Sequence, residues 1–211
     1  MPRKCGRPPK TETHTESRQK IIDAAVELIS SYGAEAVTVR RVCQTADLSI
    51  GTFYHYFADK DDLMMFFLRE TSFENFRLET PVGNISARIS ELYMHLIRRY
   101  MELGEPFMKR FYTTGNRSLS AYMGEQDGRF AAGTVMERSE RELSAAALLG
   151  IIKESVNLHT VCQDICTIVK GCVFEWCLND GKPDIEAAVY RIVRNYLSVY
   201  LNEGCDDHKT N

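Results

Sequence analysis

Apolar residues recur along this chain at the spacing of α-helices, and this pattern limits the fold to helices packed on helices. Similar stripes follow to the end of the chain, most clearly near 159–179 and 184–202. No run shows the strict alternation of a half-buried strand. We therefore predict an all-α protein of about nine helices and no sheet. The first stripe, at about 17–32, consists of Ile21, Ile22, Ala25, Leu28, Ile29 and Tyr32.

The middle of the chain is divided by glycine, proline and polar residues. We expect the fourth helix to run from about 60 to 77 and to stop before Pro81. Three further helices are expected near 85–102, 106–114 and 128–148, with the polar stretch 115–127 serving as a connection.

Charge is distributed unevenly, although the net charge is only −3. Residues 1–20 hold six Lys or Arg and two Glu, a local balance of +4, whereas residues 61–211 hold 17 Lys or Arg and 22 Asp or Glu, a balance of −5. A basic end on an acidic remainder is expected of a protein that touches DNA with one end only. We divide the chain into a basic flexible arm at 1–14, a DNA-binding domain at 15–60, a larger domain at 61–203 and a polar tail at 204–211.

Several function classes find no support in the sequence. No window approaches the roughly 18 to 20 apolar residues of a membrane span, and no apolar stretch follows the basic start as it would in a secretory signal. Seven cysteines at irregular spacing do not indicate a disulfide framework. Phosphate loops, nucleophile elbows and dinucleotide fingerprints are not found. We expect a cytoplasmic protein that is not an enzyme and uses no cofactor.

Segment 38–60 reads TVRRVCQTADLSIGTFYHYFADK and predicts a helix-turn-helix. Thr38 and Ser49 are placed to cap helices near 39–46 and 50–56. The second helix carries no acid, as entry into a major groove requires. An ordinary packed helical hairpin is the alternative. The inward positions are expected to be Val39, Val42, Cys43, Ile50, Phe53 and Phe57, which leaves Gly51, Thr52, Tyr54, His55 and Tyr56 on the outer face.

Residues 18–68 resemble the DNA-binding signature of the TetR family of bacterial regulators. Two positions depart from the family pattern: Cys43 stands where a small alanine is usual, and Asp47 replaces the usual glycine of the turn. The matching residues are Ala36-x-Thr38-Val39-Arg40-x-Val42, Ala46-x-Leu48-Ser49-x-Gly51-x-Phe53-Tyr54-x-Tyr56-Phe57 and Asp59-Lys60-x-x-Leu63.

The resemblance implies a three-helix DNA-binding domain followed by a larger domain for ligand binding and dimerisation. It implies that the protein is a homodimeric repressor that binds a palindromic operator. An apolar or aromatic effector would release this repressor from DNA by shifting the fourth helix. An activator could use the same DNA-binding domain. The implied phosphate contacts are Thr38, Tyr54, Tyr56 and Lys60, and the positions implied to face bases are Ser49, Ile50, Thr52 and His55.

Two basic features extend this expected DNA surface. Arg40 is a candidate groove or phosphate contact, with a solvated surface arginine as the alternative. Segment 4–10 is similar to an AT-hook core, in which Arg7 would enter the minor groove. Cys5 stands where that motif has an arginine, so a purely electrostatic arm is the alternative.

The last two helices carry apolar faces that one subunit cannot easily cover, and the resemblance implies that they pair as a four-helix dimer interface. The residues assigned to that interface are Cys162, Cys166, Val169, Val173, Ile192, Val193, Tyr196 and Tyr200.

Aromatic residues at helical spacing are candidates for an effector pocket, with plain core as the alternative. His95 and Asn116 are possible polar anchors. The pocket candidates are Tyr93, Ile97, Tyr100, Phe107, Phe111, Tyr112 and Trp176.

Two further functions stay open. His159, Cys162 and Cys166 lie one helical turn apart and could bind Zn²⁺ or Cu⁺, or the thiols could sense oxidants, although buried cysteines often behave as small hydrophobes. A helical adaptor that does not bind DNA would also explain the helices, but not the basic arm beside an acid-free helix.

Overall fold

The computed structural model describes residues 10–69, 73–113, 115–122 and 124–202. Within these ranges the chain forms ten α-helices, one turn of 3-10 helix and one very short β-hairpin, so the all-α prediction is confirmed. The chain folds into two compact units, of which the first ends at Phe66 and the second begins at Phe67. No helix in the described ranges is both long enough and apolar enough to cross a membrane.

The first unit is built on a long helix that packs against two short ones. Its interior contains Ile21, Val42 and Phe53, which are fully buried. Gly33, at a φ of 80°, ends the long helix as predicted, because few other residues adopt that backbone conformation. The helices are α1 (Lys10–Tyr32), α2 (Val39–Ala46), α3 (Ile50–Tyr56) and α4 (Lys60–Arg69), of which α4 continues past the end of the unit.

The second unit is a helical body in which α5 packs against α6, α8 and α10, and α9 packs against α6, α8 and α10. Antiparallel strands β1 and β2 form the hairpin that precedes α8. The elements are α5 (Ile85–Leu103), α6 (Glu105–Phe111), α7 (Arg117–Tyr122), β1 (Glu125–Gln126), β2 (Arg129–Phe130), α8 (Val135–Leu148), α9 (Leu158–Leu178) and α10 (Ile185–Ser198).

Three sequence-based expectations are wrong in this region. The stretch 115–127 is not a plain connection, because it contains α7 and β1, and the hairpin contradicts the expected absence of a sheet. Asp127 and Gly128 both have positive φ and join the strands as a two-residue turn, a signal that an Asp-Gly pair carries in sequence. The helix expected from 128 begins only at Val135, where the Thr134 side chain accepts a hydrogen bond from the Glu137 amide.

Two helix ends also differ from expectation. The first helix begins at Lys10 instead of about 17, inside the segment expected to be a flexible arm. The fourth does not reach 77, because residues 73–77 are not helical. The Phe73 amide donates to the Gly133 carbonyl at 3.2 Å, which ties this segment to the start of α8.

A buried ion cluster joins α5, α8 and the segment before α5. The Glu142 carboxylate accepts hydrogen bonds from Arg88 Nε at 2.7 Å and from Arg138 Nε at 2.6 Å. Arg138 also donates to the Phe73 carbonyl, and Arg88 donates to the Thr80 carbonyl. Burial alone would raise the pKa of Glu142, but the two arginines outweigh it and hold that pKa below its ordinary value.

Replacing Glu142→Gln is expected to lower the free energy of unfolding by about 3 kcal/mol, because it leaves two buried guanidinium groups without their counter-ion. Because the folded-state pKa is lowered, the carboxylate's stabilisation is present above the ordinary value of about 4.3 and is lost as the pH falls through the folded-state pKa. The variant should therefore lose the part of the wild type's acid dependence that Glu142 supplies. Urea denaturation at pH 7 and at pH 4 measures both effects.

The matched control is Glu137→Gln, which removes a half-exposed partner of Arg141 at 3.8 Å. It should change stability by well under 1 kcal/mol. Equal losses in the two variants would contradict a special role for the Glu142 cluster.

Candidate nucleic-acid interface

The helix-turn-helix is built from two capped helices and a left-handed turn. The Thr38 hydroxyl accepts a hydrogen bond from the Arg41 amide at 3.2 Å and so begins α2. The Ser49 hydroxyl accepts one from the Thr52 amide at 3.0 Å and begins α3. Both helices have the bounds that the sequence predicted, because each cap fixes where the helix starts.

Asp47 forms the turn in the left-handed conformation, with a φ of 53°. Its backbone amide donates to α2 carbonyls, and the Leu48 amide donates to the Cys43 carbonyl at 3.0 Å. Aspartate tolerates this conformation better than most residues, so the missing family glycine does not change the turn. Cys43 is buried and its thiol lies 3.7 Å from the Ser49 carbonyl, which shows that the packing accommodates it.

Aromatic residues hold α3 on the first unit. Phe53 is fully buried, and its ring lies 5.7 Å from that of Phe57. The Arg18 guanidinium of α1 lies over Phe57 at 5.6 Å and over Phe66 at 4.6 Å from the ring centroids. These cation–π contacts join α1 to the end of α3 and the interior of α4.

The outer face of α3 is open and carries no acidic side chain. Tyr54 is 56% exposed, Gly51 and His55 are exposed, and Tyr56 is half-buried with its ring edge-on to His55 at 4.9 Å. Thr52 is half-buried and its hydroxyl lies 2.8 Å from that of Ser49. The helix therefore presents small, aromatic and hydrogen-bonding groups, which suits contact with base edges.

Ile50 corrects one sequence-based expectation. Periodicity placed it in the core beside Phe53, but its side chain is 50% exposed. It is the first residue of α3, so its side chain leaves the helix beside the cap instead of over the buried face. This exposure agrees with the position facing bases that the family resemblance implied.

Lys60 begins α4, where the helix amides favour an anion. Three carboxylates surround it in sequence, and two of them are engaged: Asp59 accepts from the Asp62 amide at 2.8 Å, and Asp62 accepts from the Ala58 amide at 3.1 Å. Burial and the nearby Asp59 raise the pKa of Asp61. Since these carboxylates already occupy amides near the start of α4, the attraction of this helix start for phosphate depends on the Lys60 ammonium.

The other predicted DNA contacts divide into two groups. Thr38 and Arg40 are exposed at the start of α2, close in sequence to the turn that leads into α3. Arg7 and residues 4–9 of the AT-hook-like segment lie outside the described residues, so the minor-groove contact stays a prediction.

Comparison with known proteins agrees with this geometry. A family model described as bacterial regulatory proteins, tetR family, matches residues 21–65. The chain is 32% identical over 143 residues to the HTH-type transcriptional repressor KstR of Rhodococcus jostii, an alignment that covers 64% of this chain and 68% of that repressor. The chain belongs to the tetR family of bacterial regulatory proteins.

Two further similarities extend beyond the DNA-binding segment. The HTH-type transcriptional regulator HbdR of an Aromatoleum species is 35% identical over 156 residues, which span 71% of this chain and 66% of that regulator, just under two thirds of its length. The structure of Thermus thermophilus FadR, a TetR-family repressor in complex with lauroyl-CoA, matches with a TM-score of 0.56 at 14% identity, covering 92% of this chain and 98% of that chain. This last likeness concerns the fold.

Family membership confirms the prediction of a DNA-binding transcriptional regulator. KstR and HbdR are both transcriptional regulators, which is a non-enzymatic role. The roles assigned to individual side chains of α2, α3 and α4 stay predictions, supported by their exposure.

The pocket candidates all lie in the second unit. Tyr93, Ile97 and Tyr100 of α5 are buried, the Phe107 and Phe111 rings of α6 stack at 5.1 Å, and Tyr112 is half-buried beside them. Trp176 of α9 is buried, and its carbonyl accepts a hydrogen bond at 2.9 Å from the amide of Gly181, in the turn before α10.

Of the two suggested polar anchors, Asn116 is engaged in hydrogen bonds, whereas His95 is held by ring stacking. The Asn116 side chain donates to the Phe111 carbonyl at 3.1 Å and accepts from the Leu119 amide at 2.9 Å, so it caps α7. The His95 ring stacks on Phe76 at 4.1 Å.

The proposed dimer residues need correction. Cys162, Cys166, Val169, Val173 and Val193 are buried within a single chain, where α9 and α10 pack on α5, α6 and α8, so they cannot face a partner. The remaining three, Ile192, Tyr196 and Tyr200, are partly exposed.

The metal alternative is not supported by the geometry. His159 Nδ1 lies 2.8 Å from Glu140 Oε1, and its ring stacks on Phe130 at 4.4 Å, so it pairs with a carboxylate and not with thiols. Burial raises the pKa of Cys162 and of Cys166, which disfavours the reactive thiolate. Among the described residues, no three His, Cys, Asp or Glu side chains could hold a metal ion.

Replacing Lys60→Gln is expected to weaken binding to specific and unrelated duplexes by a similar factor, because a phosphate contact carries no sequence information. The slope of log affinity against log salt should become less steep by about 0.9 for each bound subunit, which is about 1.8 for a dimer. Fluorescence anisotropy over a salt series measures both changes.

The control Lys182→Gln removes an exposed lysine of the turn between α9 and α10 in the second unit. It should leave affinity and salt slope unchanged. An unchanged slope in Lys60→Gln would exclude Lys60 as a phosphate contact.

Proposed function

We propose that this regulator is a homodimeric repressor of a palindromic operator and that an apolar or aromatic effector releases it from DNA. The observation that carries the proposal is the exposed, acid-free outer face of α3, held by Phe53 and Phe57 on one compact unit. The chain continues into a second helical unit with its own buried core, which is available for a different ligand.

Dimerisation follows from the size of the recognition helix. The helix α3 contains only seven residues, so one chain can read one short half-site. Two copies of α3 about 34 Å apart would enter successive major grooves on one side of the duplex. A two-fold symmetric dimer accounts for that spacing and requires a palindromic operator.

An exposed stripe on α9 is the best surface for the partner. Phe174 and Leu178 are 54% and 61% exposed, and they share one side of the helix with Thr167 and Gly171 at spacings of 4, 7 and 11 residues. We call these four residues the α9 stripe. Exposed large apolar groups beside small ones suit close helix packing, and this stripe replaces the buried residues that the sequence assigned to the interface.

Repression and release rest on the relatives. KstR of Rhodococcus jostii is a transcriptional repressor, and Thermus thermophilus FadR is a repressor solved with lauroyl-CoA. A ligand releases DNA only if it prefers the conformer that does not bind the operator. A preference of about 3 kcal/mol would lower operator affinity roughly a hundredfold.

The proposed repressor function is tested by fluorescence anisotropy with a DNA fragment from upstream of the protein's own gene, at two salt concentrations. We expect tight, sequence-selective binding that the double variant Tyr54→Ala/Lys60→Ala loses, since it removes two predicted phosphate contacts. Weak, unselective binding would argue against an operator on this fragment. No salt-dependent binding at all would favour a helical adaptor.

Replacing Gly171→Arg tests the proposed dimer. A Cβ at this position meets no heavy atom within 4 Å and the position is exposed, so a single subunit should tolerate the arginine. The helix should gain about 1 kcal/mol of intrinsic stability. We expect a shift from dimer to monomer in analytical ultracentrifugation and at least tenfold weaker operator binding. The control is Gly83→Arg, another open position, which should remain dimeric. A dimeric Gly171→Arg variant would exclude the α9 stripe as the interface.

A further inference from the structure

Three buried hydroxyl groups on α5 have no hydrogen-bond partner. They belong to Ser86, Tyr93 and Tyr100, each almost completely inaccessible to solvent. The residues are seven positions apart, so their side chains leave the helix from nearly the same side, about 10 Å apart along its axis. A buried hydroxyl without a partner costs stability, and a native structure retains such groups only for a reason.

The Tyr100 hydroxyl lies among groups that do not satisfy it. Its ring is 6.4 Å from that of Tyr112, and the Cys166 thiol of α9 is close enough to affect the pKa of both phenols. Burial raises the pKa of Tyr100 well above its ordinary value. The phenol therefore stays protonated and can donate a hydrogen bond to whatever enters.

Tyr93 lies seven residues before Tyr100 on α5 and is also buried. The neighbouring Ser139 hydroxyl already donates to the Val135 carbonyl at 2.7 Å, and it forms no hydrogen bond of normal geometry with Tyr93. Burial also raises the pKa of Tyr93, so this second phenol is a donor as well.

A cavity of about 200 Å³ lies between α6 and α9. Tyr112 forms part of its wall, and the same ring lies beside Tyr100. The cavity is mainly apolar and borders the α9 stripe. Its lining consists of Met108, Lys109, Tyr112, Phe174, Cys177 and Leu178.

Two charged groups near this region, Lys109 and Glu142, are already paired. Lys109, at the cavity wall, contacts Glu105 at 2.5 Å and Asp180 at 2.6 Å. Glu142, the buried acid of α8, is held by two arginines. A neutral oxygen that entered beside Tyr100 would gain a phenol donor, whereas an amine would lose its hydration without gaining a counter-ion. A carboxylate would find only Lys170 of α9, which is already within hydrogen-bond reach of the Cys166 thiol.

We propose that the second unit binds a neutral, largely apolar molecule whose carbonyl or hydroxyl oxygen accepts a hydrogen bond from Tyr100, with Tyr93 and Ser86 available to further oxygens along α5. The inference deepens the proposed function, since it rests on an effector that occupies this unit. It defines the effector class as neutral and oxygen-bearing, and it separates that class from acids and from pure hydrocarbons.

The test compares three probes with the same ring system on the full chain: 2-acetylnaphthalene, 2-ethylnaphthalene and 2-naphthoate. Isothermal titration calorimetry measures their affinities. We expect the ketone to bind at least tenfold more tightly than the hydrocarbon and the carboxylate. Equal binding of ketone and hydrocarbon, tightest binding of the carboxylate, or no binding of any probe would overturn the proposal.

The variant Tyr100→Phe tests the residue. It should remove most of the preference for the ketone and leave the affinity for the hydrocarbon unchanged. Its Tm should stay the same or rise, because no hydrogen bond within the protein is lost, so failure to fold is not expected. A lower Tm with an unchanged preference would show that the hydroxyl has a structural partner and would overturn the assignment.

A control separates this cavity from the groove between α5 and α10, which has a volume of about 510 Å³ and includes Tyr190. Tyr190→Phe should change neither probe selectivity nor Tm. Loss of selectivity in this variant alone would assign the ketone to the groove and overturn the role of Tyr100.

Operator binding is measured on the same samples with and without 2-acetylnaphthalene. Selective probe binding without DNA binding would contradict the proposed repressor and leave the ligand class supported. DNA binding without probe selectivity would do the reverse.

Discussion

The burial of α5 is the constraint on which the second unit depends. Helices α6, α8 and α10 pack against it, and α9 completes the core by packing against those same three helices. To cover α5 and one another, α9 and α10 use their own apolar stripes, including Val169, Val173 and Val193. An apolar stripe in sequence records that a helix face is buried, but not whether the covering atoms belong to the same chain. A partner can therefore contact only the faces of α9 and α10 that periodicity predicts to be exposed. Phe174 and Leu178 are large apolar residues on such a face of α9.

The parts of the fold that local chemistry determines could be predicted from the sequence. Thr38 and Ser49 define where α2 and α3 begin, and Asp47 supplies the left-handed turn between them, so the helix-turn-helix has the predicted bounds. The Asp127-Gly128 hairpin is equally local and its signal was present, but two residues per strand are too short for any alternation of apolar and polar residues. The segment at Phe73 could not be predicted, because its amide bonds to Gly133, sixty residues away in sequence.

The candidate site was predictable to a similar extent, for the same reason. Burial of Phe53 and Phe57 on one side of this short helix leaves Tyr54 and His55 exposed on the other side. A prediction that places one pair correctly therefore places the other pair correctly as well. Helical periodicity does not predict the exposure of Ile50, because Ile50 is the first residue of α3 and its side chain does not lie over the buried face. The engaged carboxylates around Lys60 also could not be foreseen, because capping bonds such as Asp62 to the Ala58 amide depend on backbone geometry.

Some polar groups on α5 have hydrogen-bond partners and others have none. This difference explains how one helix can contribute both to stability and to ligand binding. Arg88 lies near its start and is fully engaged with Glu142 and the Thr80 carbonyl, which fixes α5 to α8 and to the preceding segment. Tyr100, near its end, is more deeply buried, and its hydroxyl has no hydrogen-bond partner. A folding core under selection for stability alone would replace that phenol by phenylalanine at no cost in packing. The hydroxyl is explained if its hydrogen-bond partner is a bound ligand. The unpaired hydroxyl lowers the stability of the ligand-free protein, and the hydrogen bond to a neutral oxygen then contributes to binding affinity.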